Sequence, residues 1–178
     1  MAFLLENAFN GSALVQDANN HPYLRMMTTR KTTSATPLRD LIGPLPLPWA
    51  VSSNISVSDD GKLLQHVDRP QSGDDNWLFM SAVCYLFGLN IHKARGYPVG
   101  LVNTNWGGTM IQDWSSAEAI QDCAGSRANK RVDSSDSRAE SGAATHLFNA
   151  MIAPLLNTTI KGTIWYREWE PSLCGSLN

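Results

Sequence analysis

The run Gly100-Leu101-Val102-Asn103-Thr104-Asn105-Trp106-Gly107-Gly108-Thr109 sets an apolar stretch directly before polar side chains and two glycines. This is the pattern of a buried strand that ends in a turn at the carboxyl edge of an α/β sheet, where ligands of open sheets bind. Glycine lets a ligand approach the backbone closely. The N–H groups of such a turn can hold an anion, either a stable phosphate or the transient oxyanion of an ester under attack. On spacing alone, Gly107-Gly108 fits a tight strand-to-helix turn as well as it fits an anion cradle.

Neither G-x-G-x-x-G nor the P-loop pattern occurs, and no basic residue stands near Gly107-Gly108 in the sequence, which disfavours phosphate. Nucleophilic catalysis needs a Ser or Cys, a base within hydrogen-bond reach and a group that orients the base. The four histidines are His21 in a turn, His66 in an irregular stretch, His92 near a helix end and His146 at a helix start. Each reads as solvated or structural. No serine lies in a G-x-S-x-G elbow. Ser115 and Ser116 follow Trp114 and read as structural. Trp106, Trp114, Trp165 and Tyr166 stand near the ends of two expected strands, where rings can pack a core or form platforms for sugars.

The elements that must position these residues follow from periodicity. Phe3 to Ala18 is expected as a helix with a weak point at Asn10-Gly11, and Pro22 to Thr28 as a short strand. Residues 30–76 are rich in Pro, Ser and Asp and read as an irregular surface excursion, with a small edge strand around Asn54 to Val57. Trp77 to Ala94 is the best helix, with Phe79, Ala82, Val83, Leu86, Phe87 and Ile91 at helical spacing and Gly96 and Pro98 as a stop. Val99 to Asn103 is expected as a buried strand, and Thr109 as the cap of a short helical turn through Trp114. Asp122 to Ala144 reads as a loop, Thr145 to Leu156 as helical up to Pro154, and Ile160 to Tyr166 as a second buried strand. The alternation predicts an α/β fold with a parallel sheet, in one domain over residues 1–178.

With 178 residues, 43% hydrophobic and 17% charged, the chain has the composition of a globular domain. A net charge of -2 gives no electrostatic case for nucleic acid or an anionic membrane surface. No apolar run reaches the roughly 20 residues of a spanning helix, and Met1 to Leu5 does not read as a signal peptide. Cys84 reads as a buried thiol and Cys123 and Cys174 as loop thiols, with no metal-ligand spacing. Asn10, Asn54 and Asn157 head N-x-[ST] triplets and are candidate glycosylation sites that favour a secretory origin.

Several blocks resemble one family. Tyr97 to Thr109 with Trp114-Ser115-Ser116, Met80 to Gly88, Phe148-Asn149-Ala150-Met151-Ile152-Ala153-Pro154-Leu155 and Ile160 to Tyr166 are together similar to the sialate O-acetylesterases. The resemblance covers most of Met1 to Tyr166. It implies an SGNH/GDSL hydrolase with a flavodoxin-like α/β/α sandwich. It also implies removal of O-acetyl groups from sialic acids without metal or organic cofactor, in lysosomal or secreted settings. By the same resemblance, Gly107 and Gly108 are oxyanion donors; Asn105, Trp106, Thr109, Trp114, Trp165 and Tyr166, near that turn and the ends of the expected strands, are the candidate substrate contacts. The family's Gly-Gln-Ser-Asn-Met and Asp-x-x-His motifs have no counterpart here, so that the nucleophile is expected upstream of residue 1 and the base beyond the divergent tail at 167–178.

On that basis the sheet is expected to lack its first, central strand between Leu24–Thr28 and Val99–Asn103, and its last strand. Rows of unpaired backbone groups would make the chain poorly stable and inactive as an esterase. The alternative is a non-catalytic carbohydrate-binding or regulatory fragment. Oligomeric state is left open, and the expected partner is an acetylated sugar rather than nucleic acid or membrane.

Overall fold

The computed structural model describes residues 3–58, 80–125 and 145–166. Among these, 3–31, 42–58 and 80–107 pack as one compact unit, and 32–41, 108–125 and 145–166 as a second. His66, Cys174, the Trp77 to Phe79 start of the expected helix, and the stretches 59–79, 126–144 and 167–178 lie outside the described residues. No helix among the described residues is long and apolar enough to cross a membrane.

In the first unit the expected N-terminal helix is interrupted at its weak point. A 3-10 turn over Leu5–Asn7 precedes helix α1 (Gly11–Asp17), which runs into a second 3-10 turn over Ala18–Asn20. Asn10 enters α1 in the left-handed conformation, φ 58°, which Asn tolerates better than most residues. A side chain at Gly11 would overlap the carbonyls of Glu6 and Leu5, so the kink needs glycine there.

Strand β1 (Leu24–Thr28) is central. It pairs in parallel with β3 (Val99–Asn103), in the register Leu24↔Val99, Met26↔Leu101 and Thr28↔Asn103, and antiparallel with β2 (Leu47–Val51). The sheet is therefore mixed rather than parallel only. The strands expected to flank a missing neighbour are hydrogen-bonded directly to each other, so no gap separates them. β2 replaces the edge strand expected at Asn54 to Val57. Pro48 lies within it, which an edge strand tolerates because its outward side needs no N–H. Asn54–Val57 is instead a short helix, α2, because Ser53 and Ser56 cap each other's backbone.

Helix α3 (Ala82–Arg95) packs on β3 and ends at Gly96 as expected. Its buried face is Ala82, Tyr85, Gly88 and Leu89; Phe87, expected in the core, is 47% exposed. Gly88 sets this rotation. A Cβ there would stand 2.5 Å from a Leu101 methyl, so the backbone of α3 rests directly on β3. The core joins Leu5, Val15, Leu24, Met26, Leu47, Val57, Met80, Tyr85, Leu89 and Leu101. The buried Tyr85 hydroxyl lies 3.4 Å from Ser52 Oγ, which donates to the Ala18 carbonyl at 2.8 Å. Val99 to Asn103 is less buried than expected, since Gly100 is exposed and only Leu101 and Asn103 are fully covered.

In the second unit a 3-10 turn covers Ile111–Trp114, and helix α4 covers Ala117–Gly125. Asp122 thus lies in a helix rather than a loop; Ser116 Oγ starts it by accepting from the Ala119 N–H at 3.2 Å. The Phe148–Ile152 segment is π-helical and continues as a 3-10 turn through Ala153–Leu155. Ile160 to Tyr166 forms no strand and is exposed along its length.

Candidate functional site

The parallel pair β1 and β3 ends in buried polar residues. Thr28, Thr29 and Asn103 are only 1%, 3% and 5% exposed. Asn103 Nδ2 donates to Thr28 Oγ1 at 3.3 Å, and the Thr29 N–H donates to the Asn103 carbonyl at 3.0 Å. A buried polar group left without a partner costs about 1–3 kcal/mol, so these bonds fix where the two strands stop. None of the three stood out in the sequence. The signal was present in Asn103, a polar residue closing an apolar run.

Two segments leave this edge. After β1, Arg30 donates to the Gly43 carbonyl at 3.3 Å, and the Lys31 ammonium lies 5.8 Å from the centre of the Trp106 ring. A cation over an indole is worth about 0.5–1 kcal/mol where water reaches it. The sequence separation of Lys31 from Trp106 hid this pair. The expectation that no basic residue lies near the glycine turn is therefore corrected. After β3, Thr104, Asn105 and Trp106 are half-buried and lead into Gly107 and Gly108, which are exposed. Gly108 has φ +76°, where a side chain is strained, and a Cβ at either glycine would meet nothing within 4 Å. Neither glycine N–H has a partner among the described residues. Two free donors on open backbone at a sheet's carboxyl edge can accept an anion or a developing oxyanion.

In the second unit, Thr109 does not cap the following turn. Its Oγ1 accepts from Trp114 Nε1 at 2.8 Å, while the Asp113 carboxylate accepts from the Met110 N–H at 2.9 Å and performs the capping. Ser115 Oγ donates to the Ile111 carbonyl at 2.9 Å, a structural role as expected. Trp114 and Trp165 meet edge to face at 6.2 Å, and Trp165 and Tyr166 are each more than half exposed. Asn149, 5% exposed, donates through Nδ2 to the Ser34 carbonyl at 3.2 Å and to Thr145 Oγ1 at 3.3 Å, and accepts from the Leu38 N–H at 2.9 Å. It thereby anchors the 32–41 segment. Thr145 is held at φ 79°, an outlying conformation for a β-branched residue.

The histidines stand elsewhere. His21 and His92 precede β1 and β3, at the amino edge of the sheet. His21 Nε2 lies 2.9 Å from Asp17 Oδ2, Lys93 Nζ lies 3.6 Å from the same oxygen, and His92 Nδ1 is 2.8 Å from the Tyr97 carbonyl. The hydrogen bond from His21 holds the Asp17 carboxyl down at about 2. The backbone carbonyl of His146 accepts from Ser34. Among the described residues no serine hydroxyl is hydrogen-bonded to a histidine ring. Cys84 is a free thiol whose burial raises it to about 11, whereas Cys123 is disulfide-bonded and not the loop thiol expected. Asn10 and Asn157 are exposed; Asn54 is half-buried at the start of α2, with its sequon partner Ser56 only 2% exposed.

No family profile matches the chain. It is 33% identical over 184 residues to a protein named sialate O-acetylesterase from Rattus norvegicus, covering 89% of this chain and 31% of that protein. The mouse protein of the same name is 30% identical over 94% of this chain and 32% of its own length, and the human one 29% identical over 89% and 27%. A crystal structure of a carbohydrate acetylesterase from Xanthomonas citri superposes with a TM-score of 0.65 at 26% identity, covering 93% of this chain and 30% of that one. The chain therefore shares homology with these esterases over most of its length and spans under a third of each.

Proposed function

We propose that this relative of the sialate O-acetylesterases carries the oxyanion cradle and a sugar-contacting ring of an enzyme that removes O-acetyl groups from acetylated sialic acids. The observation that carries the reading is the pair of N–H groups at Gly107 and Gly108, which have no partner among the described residues and lie on open backbone shortly after β3. When an acetyl carbonyl is attacked, its oxygen gains negative charge, and donors already aimed at that point stabilise it without reorganisation. Each such donor is worth on the order of 3–4 kcal/mol.

Trp106, next to the cradle, offers a face to the sugar, and Asn105 offers a side-chain amide to its hydroxyls. In the second unit, Trp114, Trp165, Tyr166 and Thr109 make a ring surface of the kind that stacks on sugars. The flavodoxin-like sandwich of SGNH hydrolases, the single-domain organisation, and the exposed Asn10 and Asn157 as glycan acceptors belong to the same reading.

The residues in hand include no Gly-Gln-Ser-Asn-Met turn and no Asp-x-x-His motif. The reading therefore assigns binding and charge stabilisation to this 178-residue polypeptide, and acyl transfer to a nucleophile and base it does not contain. Titration of the chain with O-acetylated sialic acid, followed by tryptophan fluorescence and acetate release, tests it. Saturable quenching that Gly107→Val abolishes, without acetate release, is expected. A covalent acetyl group on one of the chain's own serines, with turnover, would contradict it.

A further inference from the structure

His21 and His92 stand before β1 and β3, at the edge of the sheet opposite Gly107-Gly108, and the acetylated-sugar reading uses neither. Each ring has one nitrogen committed to an oxygen that can only accept. His21 Nε2 lies 2.9 Å from Asp17 Oδ2, and its hydrogen bond keeps that carboxyl ionised, down at about 2. His92 Nδ1 lies 2.8 Å from the Tyr97 carbonyl. Both of these nitrogens therefore carry the proton, and in the neutral rings the lone pairs fall on His21 Nδ1 and His92 Nε2. Neither lone pair has a hydrogen-bond partner among the described residues. The ring centres are 6.2 Å apart at an interplanar angle of 81°, and both rings are half-buried, so solvent still reaches them.

An imidazole whose far N–H is held by a carboxylate or a backbone carbonyl is in the state in which histidine ligates a metal. That bond fixes the tautomer and raises the basicity of the other nitrogen. Metal–nitrogen bonds of about 2.0–2.1 Å put the centres of two imidazoles on one cation roughly 5–6.5 Å apart, and the observed spacing falls within that span. Asp17 adds a negative charge behind His21, opposed from the exposed side by Lys93 Nζ at 3.6 Å from the same oxygen.

We propose that His21 Nδ1 and His92 Nε2 bind one first-row transition cation, zinc or copper(II), which ties the turn before β1 to the C-terminal end of α3. Among the described residues no group of three histidine, cysteine or carboxylate side chains could hold a metal, so water fills the remaining coordination positions. Imidazole donors select such cations over magnesium and calcium, which take oxygen ligands. The site is independent of sugar binding at the carboxyl edge.

The untagged 178-residue chain is titrated calorimetrically with zinc and with magnesium, beside His21→Gln, His92→Gln and, as a control, His146→Gln, with thermal melts confirming that the variants fold. One zinc per chain is expected, and no magnesium. Either ring variant lowers zinc affinity by roughly tenfold or more, and His146→Gln leaves it unchanged. Copper(II) on the unmodified chain shows two coupled imidazole nitrogens in its paramagnetic resonance spectrum, a readout that stands even where a ring variant fails to fold. Absence of zinc binding, an affinity unchanged in either ring variant, an equal loss in His146→Gln, or a single coupled nitrogen would overturn the site.

Discussion

At the amino edge of the first unit's sheet, Asp17, His21, His92 and Lys93 bring together titratable side chains of the kind that catalysis uses. At the carboxyl edge, Thr28, Thr29, Asn103 and Trp106 are uncharged, and the backbone N–H groups of Gly107 and Gly108 have no partner among the described residues. The residues that look reactive in a list of types are engaged with one another: Asp17 is shared by His21 and Lys93, and His92 is bound to a backbone carbonyl. At the edge with open donors, neutral side chains hold the strand ends in place through mutual bonds, and Arg30 and Lys31 follow directly after β1. Residue type identifies chemistry poorly until the partners are known; unpartnered donors on open backbone identify it better.

The two edges are joined by α3, whose C-terminal end carries His92 and Lys93 and whose Gly88 rests on Leu101 of β3. Gly88→Leu is therefore the largest perturbation. It drives a side chain into Leu101 and should lower stability by about 3 kcal/mol, disturbing both edges in a thermal melt. Asn103→Ala acts on the carboxyl edge alone, removing a bond to the buried Thr28 hydroxyl. It is expected to cost roughly 2 kcal/mol in denaturant unfolding and to weaken sugar binding. If stability falls but binding is unchanged, the polar cluster is structural only.

Asp17→Asn acts on the amino edge. With the carboxyl partly exposed and screened, the change should stay below about 1 kcal/mol and leave sugar binding as it is. Because the folded carboxyl sits at about 2 against an ordinary 3.8, its contribution is present above about pH 4 and lost as pH falls toward 2. The wild type should therefore lose stability relative to Asp17→Asn across that window, seen as converging melting temperatures. The smallest effect is at Cys84. Burial raises its thiol to about 11, so alkylation by iodoacetamide at pH 8 should be slow in the folded chain and fast in denaturant.

The sequence made the elements around the glycine turn legible because each followed from a local rule. The Asn10-Gly11 break, β1, the end of α3 at Gly96 and the extent of β3 are written in turn residues and apolar runs. What it concealed depended on distant partners. β2 is a strand because it lies along β1, despite Pro48. Asn54–Val57 is a helix because two serines cap it, despite a strand-like Ile and Val. Ile160 to Tyr166 has a strand's composition yet pairs with no strand among the described residues. At the site, Trp106, Gly107 and Gly108 were legible because they follow an apolar run. Lys31, Thr28 and Thr29 were not, since only the pairing of β1 with β3 brings them to the same edge.

Amide chemical-shift mapping of the isotopically labelled chain, titrated with O-acetylated sialic acid, tests most directly where this molecule binds. The account predicts shifts concentrated on the Trp106 indole and the Gly107, Gly108 and Asn105 amides, with His21 and His92 unmoved. Shifts centred on Asp17, His21 and His92 instead, with the glycine amides silent, would contradict it.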